Sequence, residues 1–138
     1  KSSFITIEAG GKMEMYHVWD FDITMGNCNY TGFEKPEGWQ MKGAKWYNKM
    51  FQDPSFVKEV QDRWNELYPQ IREIPSFVES QIALLDGAQD RNFERWDILG
   101  IYVWPNAVWL GSYEAEVDFL LDYYNSRIEW LNTQLNAL

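Results

Sequence analysis

The chain has one cysteine and one histidine, and the scarcity of both removes several chemistries at once. Cys28 alone cannot form an intrachain disulfide, so the redox compartment is left open. His17 alone rules against a histidine-based zinc site and against a Ser-His-Asp triad. A Cys28–His17 pair for nucleophilic catalysis would lack any orienting partner, and its members stand eleven residues apart. No run of about 18 apolar residues occurs, so no membrane span is expected, and no secretory signal is present. Neither phosphate-cradling glycine signature occurs, Gly-x-x-x-x-Gly-Lys-Ser/Thr or Gly-x-Gly-x-x-Gly.

Bases are also in deficit. Twelve Lys and Arg stand against 21 Asp and Glu, for a net charge of −9. Nucleic-acid binding and attachment to an anionic membrane both need clustered positive charge, so both are excluded. The imbalance is local. Residues 1–52 carry six Lys and six acids, whereas residues 97–138 carry six acids against Arg127 alone. That acidic stretch reads as a solvated helix face. The many acids offer numerous carboxylate pairs for glycoside hydrolysis, and none stands out.

What is abundant is aromatic. Trp, Tyr and Phe make up 17% of 138 residues, with eight of each, and the apolar share is 46%. The length and these proportions suit one domain with a real core. No internal repeat or low-complexity tract is visible. Lys1 stands where an initiator Met would, so the sequence reads as processed or excised from something longer.

The pattern predicts α+β architecture, mainly α, in three parts. Residues 1–25 form an N-terminal β-hairpin, residues 26–43 a loop, and residues 44–138 a helical region. In the hairpin Ile5 and Ile7, then Met13 and Met15, alternate with polar residues, and Gly10-Gly11 suits a two-residue turn. The second strand is expected to run through Val18 towards Met25. Seven breakers between Gly26 and Gly43 then interrupt any period. A short helix over roughly 43–52 precedes three long ones. The first starts at Asp53-Pro54, a cap with proline at the first helical position. Its stripe is Phe56, Val60, Trp64, Leu67 and Ile71, with a break or kink near Pro69. The second runs from near Pro75 to about Trp96, on Phe77, Gln81 or Ile82, Leu85, Ala88, Phe93 and Trp96. The third starts at Ser112 and carries Tyr113, Val117, Leu120, Tyr124, Ile128, Leu131 and Leu135 on one face. All three stripes need partners, so a bundle is expected. Trp64, Trp96 and Trp130 read as core, while Trp39, Trp104 and Trp109 lie in or beside loops and offer anchors for sugars or proteins.

One segment carries candidate chemistry. Extended backbone over 18–27 puts Asp20, Asp22 and Thr24 on one face and Trp19, Phe21 and Ile23 on the other. Two carboxylates about 7 Å apart along a strand suit a hard cation such as Mg²⁺, which takes one or two carboxylates plus phosphate and water. The same pattern also describes a half-buried strand with a wet acidic face.

The run Val18-Trp19-Asp20-Phe21-Asp22-Ile23-Thr24-Met25-Gly26-Asn27 resembles the Trp-Asp-Phe-Asp…Phe-Gly-Asn segment of spore-coat-protein-H-like (CotH) kinases. Further pieces match in order: Arg63-Trp64-Asn65-Glu66-Leu67, Asn92-Phe93-Glu94-Arg95-Trp96, Trp104-Pro105-Asn106, Ser112 to Val117, and Arg127 to Leu131. Tyr16-His17 stands where many members have Gly-Pro. The resemblance implies the C-terminal lobe of an atypical protein-kinase-like fold. It implies a cofactor pair, ATP and Mg²⁺, with Asp20 as the metal ligand beside the nucleotide and Asp22 as a second or outer-shell ligand. It implies a protein substrate phosphorylated on Ser or Thr, and a protein that is exported or held at the cell surface. The nucleotide-covering loop and the catalytic aspartate would precede Asp20, in an upstream kinase segment of the same chain. These residues alone would then be inactive. The competing expectation is an aromatic-rich carbohydrate- or protein-binding module without catalysis.

Overall fold

The structure, a computed structural model, describes residues 3–30 and 32–138. It is mainly helical, with an N-terminal hairpin, as the pattern predicts. Strands β1 (Ser3–Ile7) and β2 (Met13–Val18) pair antiparallel, with Ile5 opposite Met15 and Ile7 opposite Met13. Those four apolar side chains share one face, and all four are exposed. A two-stranded ribbon gains little stability by itself, and its apolar face stays largely exposed, touched at one edge by Tyr47 Oη, which donates to Met15 Sδ at 3.5 Å.

Two details of the hairpin differ from the sequence reading. The turn is not a two-residue one. Pairing Ile7 with Met13 leaves five residues, 8–12, in the connection, and Gly11 N donates to the Glu8 carbonyl at 2.9 Å. Of the two glycines, Gly10 alone takes a positive φ, 76°. More consequentially, β2 stops at Val18 and does not continue to Met25. Asp20 adopts φ 62°, a left-handed conformation that ends extended backbone. Asp22–Thr24 then forms a 3₁₀ turn, closed by Thr24 N and Thr24 Oγ1 donating to the Phe21 carbonyl at 3.1 and 2.6 Å. The alternating faces expected for 19–25 therefore do not exist. The side chain of His17, and with it the Cys28–His17 pair, lies outside what the structure describes.

After a short helix α1 (Lys45–Met50) come α2 (Pro54–Ile71), α3 (Ile74–Arg95) and α4 (Tyr113–Asn136). The start signals act as read. Asp53 Oδ1 accepts from Ser55 N at 2.8 Å, and Ser112 Oγ accepts from Ala115 N at 3.1 Å. Pro69 does not break α2. It lies inside the helix, two residues before the end at Ile71, and has no amide to donate to the Asn65 carbonyl, so it removes one bond of the final turn.

Helices α2 and α4 are antiparallel and packed. Tyr124 Oη donates to the Ile71 carbonyl at 2.7 Å, Tyr68 Oη to Glu129 at 3.0 Å, Trp64 Nε1 to Asn132 at 3.0 Å and Gln61 Nε2 to the Leu135 carbonyl at 3.0 Å. The buried apolar residues of the helices, Tyr124, Ile128 and Leu135, all belong to α4. Helix α3 does not pack along its length on either of the others. It meets α4 at its far end, where the Phe93 and Tyr113 rings lie 6.2 Å apart. Its stripe is therefore open: Phe77, Leu85 and Trp96 are exposed, the last against the expectation that it is core. The consequence shows in total surface. The chain exposes 10,392 Å², where a compact protein of this mass exposes about 7,500 Å².

Burial on α4 sets the first prediction. Ile128→Ala should lower stability by about 2–5 kcal/mol, the cost of a buried large-to-small change, whereas Leu84→Ala on exposed α3 should stay within about 0.5 kcal/mol. Urea unfolding followed by circular dichroism measures both. Equal effects would contradict the placement of the core.

Candidate functional site

Loop 26–43 has no regular hydrogen-bond ladder, so its backbone polar groups need other partners. Helix α4 supplies them. The Arg127 guanidinium donates from Nη1 to the carbonyls of Pro36 and Gly38, both at 2.7 Å. Tyr123 Oη donates to the carbonyls of Phe33 and Lys35 at 3.2 and 3.3 Å. Burial pulls the Arg127 pKa below its ordinary value, opposed by the charges of Tyr123 and Glu37. Trp39 packs edge-on against Trp130 at 5.1 Å, with Lys42 over its face at 4.9 Å. Trp39 is thus half-buried between the loop and α4.

Where the loop begins, close approach dictates the residue types. Gly26 has φ 89°, and a Cβ there would lie 2.3 Å from the Tyr123 ring. Asn27 follows and ties three elements together. Its Oδ1 accepts from Ala107 N at 2.8 Å and Val108 N at 3.0 Å, and its Nδ2 makes a longer contact with Glu116 Oε2 at 3.5 Å. Glu116, in the first turn of α4, also accepts from Leu110 N at 2.8 Å. Asn29 N donates to the Pro105 carbonyl at 2.8 Å, and its side chain donates to Tyr102 Oη at 2.9 Å. The aromatic loop 98–110 is thereby fastened to residues 27–29.

This fastening holds the acidic segment. Asp20 and Asp22 are both exposed, at the mouth of the hairpin. Both act on Tyr30, whose phenol pKa is raised, first by partial desolvation, then by hydrogen bonding and charge from Cys28, then by the charges of Asp20 and Asp22. The two carboxylates do not share the strand face expected for them, because β2 ends at Val18 and a 3₁₀ turn starts at Asp22. Trp104 lies stacked on Tyr30, 6.1 Å between centroids and 14° between planes, and is 71% exposed. Trp109 meets Tyr102 edge-on at 5.3 Å. Cys28 is fully buried, which argues against a role as nucleophile.

Among the described residues no group of three His, Cys, Asp or Glu could hold a metal. Two carboxylates are too few for a protein-only cage. They suit Mg²⁺ when phosphate oxygens and water complete its octahedron. The donor chemistry thus fits a cation shared with a nucleotide. Asn27, Glu116 and Arg127 have structural importance that the sequence reading missed. All three stood within the quoted family segments, and Arg127 also as the lone base of an acidic stretch, but their bonds to other elements had no signal in the sequence.

Comparison with known families finds one match, the family described as CotH kinase protein, over residues 6–131. Comparisons with curated proteins and with solved structures found no match.

The Asn27 tie generates the second prediction. Asn27→Ala leaves the amides of Ala107 and Val108 without their acceptor and should cost about 1–3 kcal/mol. Hydrogen exchange at those two amides should accelerate more than exchange in α2. Unchanged protection at both would show that the tie does not form in solution.

Proposed function

This chain belongs to the CotH kinase protein family, and from that premise we propose that it is the metal-presenting part of an ATP- and Mg²⁺-dependent protein kinase acting on Ser or Thr. Asp20 is the Mg²⁺ ligand beside the nucleotide, and Asp22 is a second ligand or an outer-shell group. What supports the reading is that Asp20 and Asp22, both exposed, stand two residues apart in sequence, a few residues before the Asn27 tie and inside the matched region. When bound, Mg²⁺ supplies neutralisation of charge on the transferring phosphoryl group.

What the chain itself does is position. A left-handed backbone at a non-glycine residue is uncommon, and such outliers gather at functional sites. Asp20 at φ 62° is one. Aspartate tolerates that conformation better than most residues, so the carboxylate leaves the strand direction at modest cost. The 3₁₀ turn at Asp22 and the Asn27 tie then fix where it goes. The nucleotide-covering loop and the general base come from an upstream segment of the same protein. The exposed face of Ile5, Ile7, Met13 and Met15 gives that segment a surface to pack on. A second reading, an aromatic binding module without catalysis, is favoured by Trp104, which presents an open ring face. Half-buried Trp39 no longer supports it.

In the intact kinase, Asp20→Asn should reduce phosphoryl transfer by at least about a hundredfold. Asparagine accepts positive φ as readily as aspartate, so the change isolates the charge. Unchanged turnover would remove Asp20 from the mechanism. Calorimetry on residues 1–138 should detect no micromolar Mg·ATP binding, since two carboxylates without the rest of a nucleotide site make a weak one. For the second reading, Trp fluorescence titrated with a broad polysaccharide panel is decisive, and a flat response counts against it.

A further inference from the structure

We propose that the cleft between α3 and the start of α4 is a docking groove for a basic amphipathic helix of a partner polypeptide. The cleft has a volume of about 660 Å³ and is walled by Phe77, Ile82 and Leu85 from α3, Trp109 from the aromatic loop, and Val117 and Leu120 from α4. It exists because α3 diverges from the α2–α4 pair and meets α4 near its far end, through Phe93 and Tyr113. Its walls are therefore two apolar helix stripes that face one another without closing. An amphipathic helix fills such a groove with side chains at i, i+3, i+4 and i+7.

Charge selects the occupant. Residues 74–122 carry nine carboxylates and only Arg91 and Arg95 as bases, and Arg95 is turned onto the Trp96 ring at 5.1 Å. At helical spacing, exposed Glu79 and Asp86 fall on the flank of the α3 stripe and exposed Glu114 on the flank of the α4 stripe. Exposed Asp97 adjoins Ile98 at the cleft wall. An apolar floor with acidic borders complements apolar residues bordered by Lys or Arg, with the charges setting orientation and encounter rate. A second copy of this chain is a poor occupant, because each carries a net charge of −9 and the two repel. A small apolar ligand is a poor one as well. Such sites converge several polar groups on the ligand, and here the one charged wall residue, Glu116, is committed to Leu110 and Asn27. The inference is independent of the phosphoryl-transfer reading, because neither Asp20 nor Asp22 lines the cleft.

The test uses a fluorescein-labelled helical peptide of about 18 residues built from Leu and Lys, with a matched peptide bearing Glu for Lys. Fluorescence anisotropy with this chain should saturate for the Lys peptide, weaken at high salt, and fail to saturate for the Glu peptide. Leu85→Asp, in the cleft wall, should weaken binding about tenfold or more. Leu84→Asp, its neighbour on the outer face at 74% exposure, should leave binding within about twofold. Both sites are exposed, so both variants should fold. Phe77→Asp, at 62% exposure, serves as a second cleft variant. The proposal is overturned by no saturation with the Lys peptide, by equal binding of the Glu peptide, or by equal effects at positions 84 and 85. Sedimentation of the chain alone as a dimer that Leu85→Asp dissociates would assign the cleft to a second copy, and would overturn it too.

Discussion

Arg127 joins the irregular part of this molecule to its helical part. A loop of some eighteen residues without a ladder must satisfy its carbonyls somewhere, and the guanidinium of α4 takes two of them at 2.7 Å. The constraint runs both ways. It fixes loop 26–43 on α4, and it uses the only base in an acidic stretch of the chain. A charged donor bonds a carbonyl more strongly than a neutral one, and Arg127 does so while also stacking over Trp130 at 5.1 Å. Tyr123, one turn earlier, repeats the arrangement on Phe33 and Lys35 while its ring presses on Gly26. The position of the acidic segment follows, because Gly26 and Asn27 fix the chain a few residues after Asp22. Removing the carbonyl partners would free the loop first and the site next.

The helices were legible because their signals are local. Asp53-Pro54 and Ser112 act through bonds to amides two and three residues away, and nothing tertiary competes with them. The stripes of α2 and α4 were legible for the same reason, since each buries the face its period describes. The end of β2 was not. Apolar and polar residues alternate from Val18 to Met25 as a strand would, and alternation cannot register a single left-handed residue. Asp20 adopts that conformation, φ 62°, between the end of β2 at Val18 and the 3₁₀ turn at Asp22. The stripe of α3 was read correctly as a stripe and wrongly as evidence of a partner within the chain. Periodicity states which side of a helix is apolar and is silent on what covers it.

Two apolar surfaces remain largely exposed among the described residues, the hairpin face and the α3 cleft, and they differ in kind. A hairpin is marginally stable at best by itself, so a partner there is needed for the ribbon to persist. Helix α3 is a regular helix of 22 residues joined to α4 through Phe93 and Tyr113, so it can stand without a partner and exchange one. An obligate contact and a reversible one are therefore expected at opposite ends of the same chain. The charge distribution agrees. Residues 1–52 are balanced, which suits a permanent apolar contact, whereas the cleft has apolar walls and acidic borders, which in the proposal select what enters.

The same reasoning bears on the metal. A site meant to hold Ca²⁺ permanently would gather six or more oxygens from the protein, and no such gathering occurs among the described residues. A site meant to share a cation with a nucleotide needs fewer protein ligands, because every additional one would displace a phosphate oxygen or a water. In the proposed reading Asp20 and Asp22, exposed on the turn that follows β2, meet that second task. Rigidity then matters more than ligand number, since the transferring phosphoryl group must find its counter-charge already in place. Asn27, with no charge and no contact to substrate in this reading, is where the fold provides that rigidity.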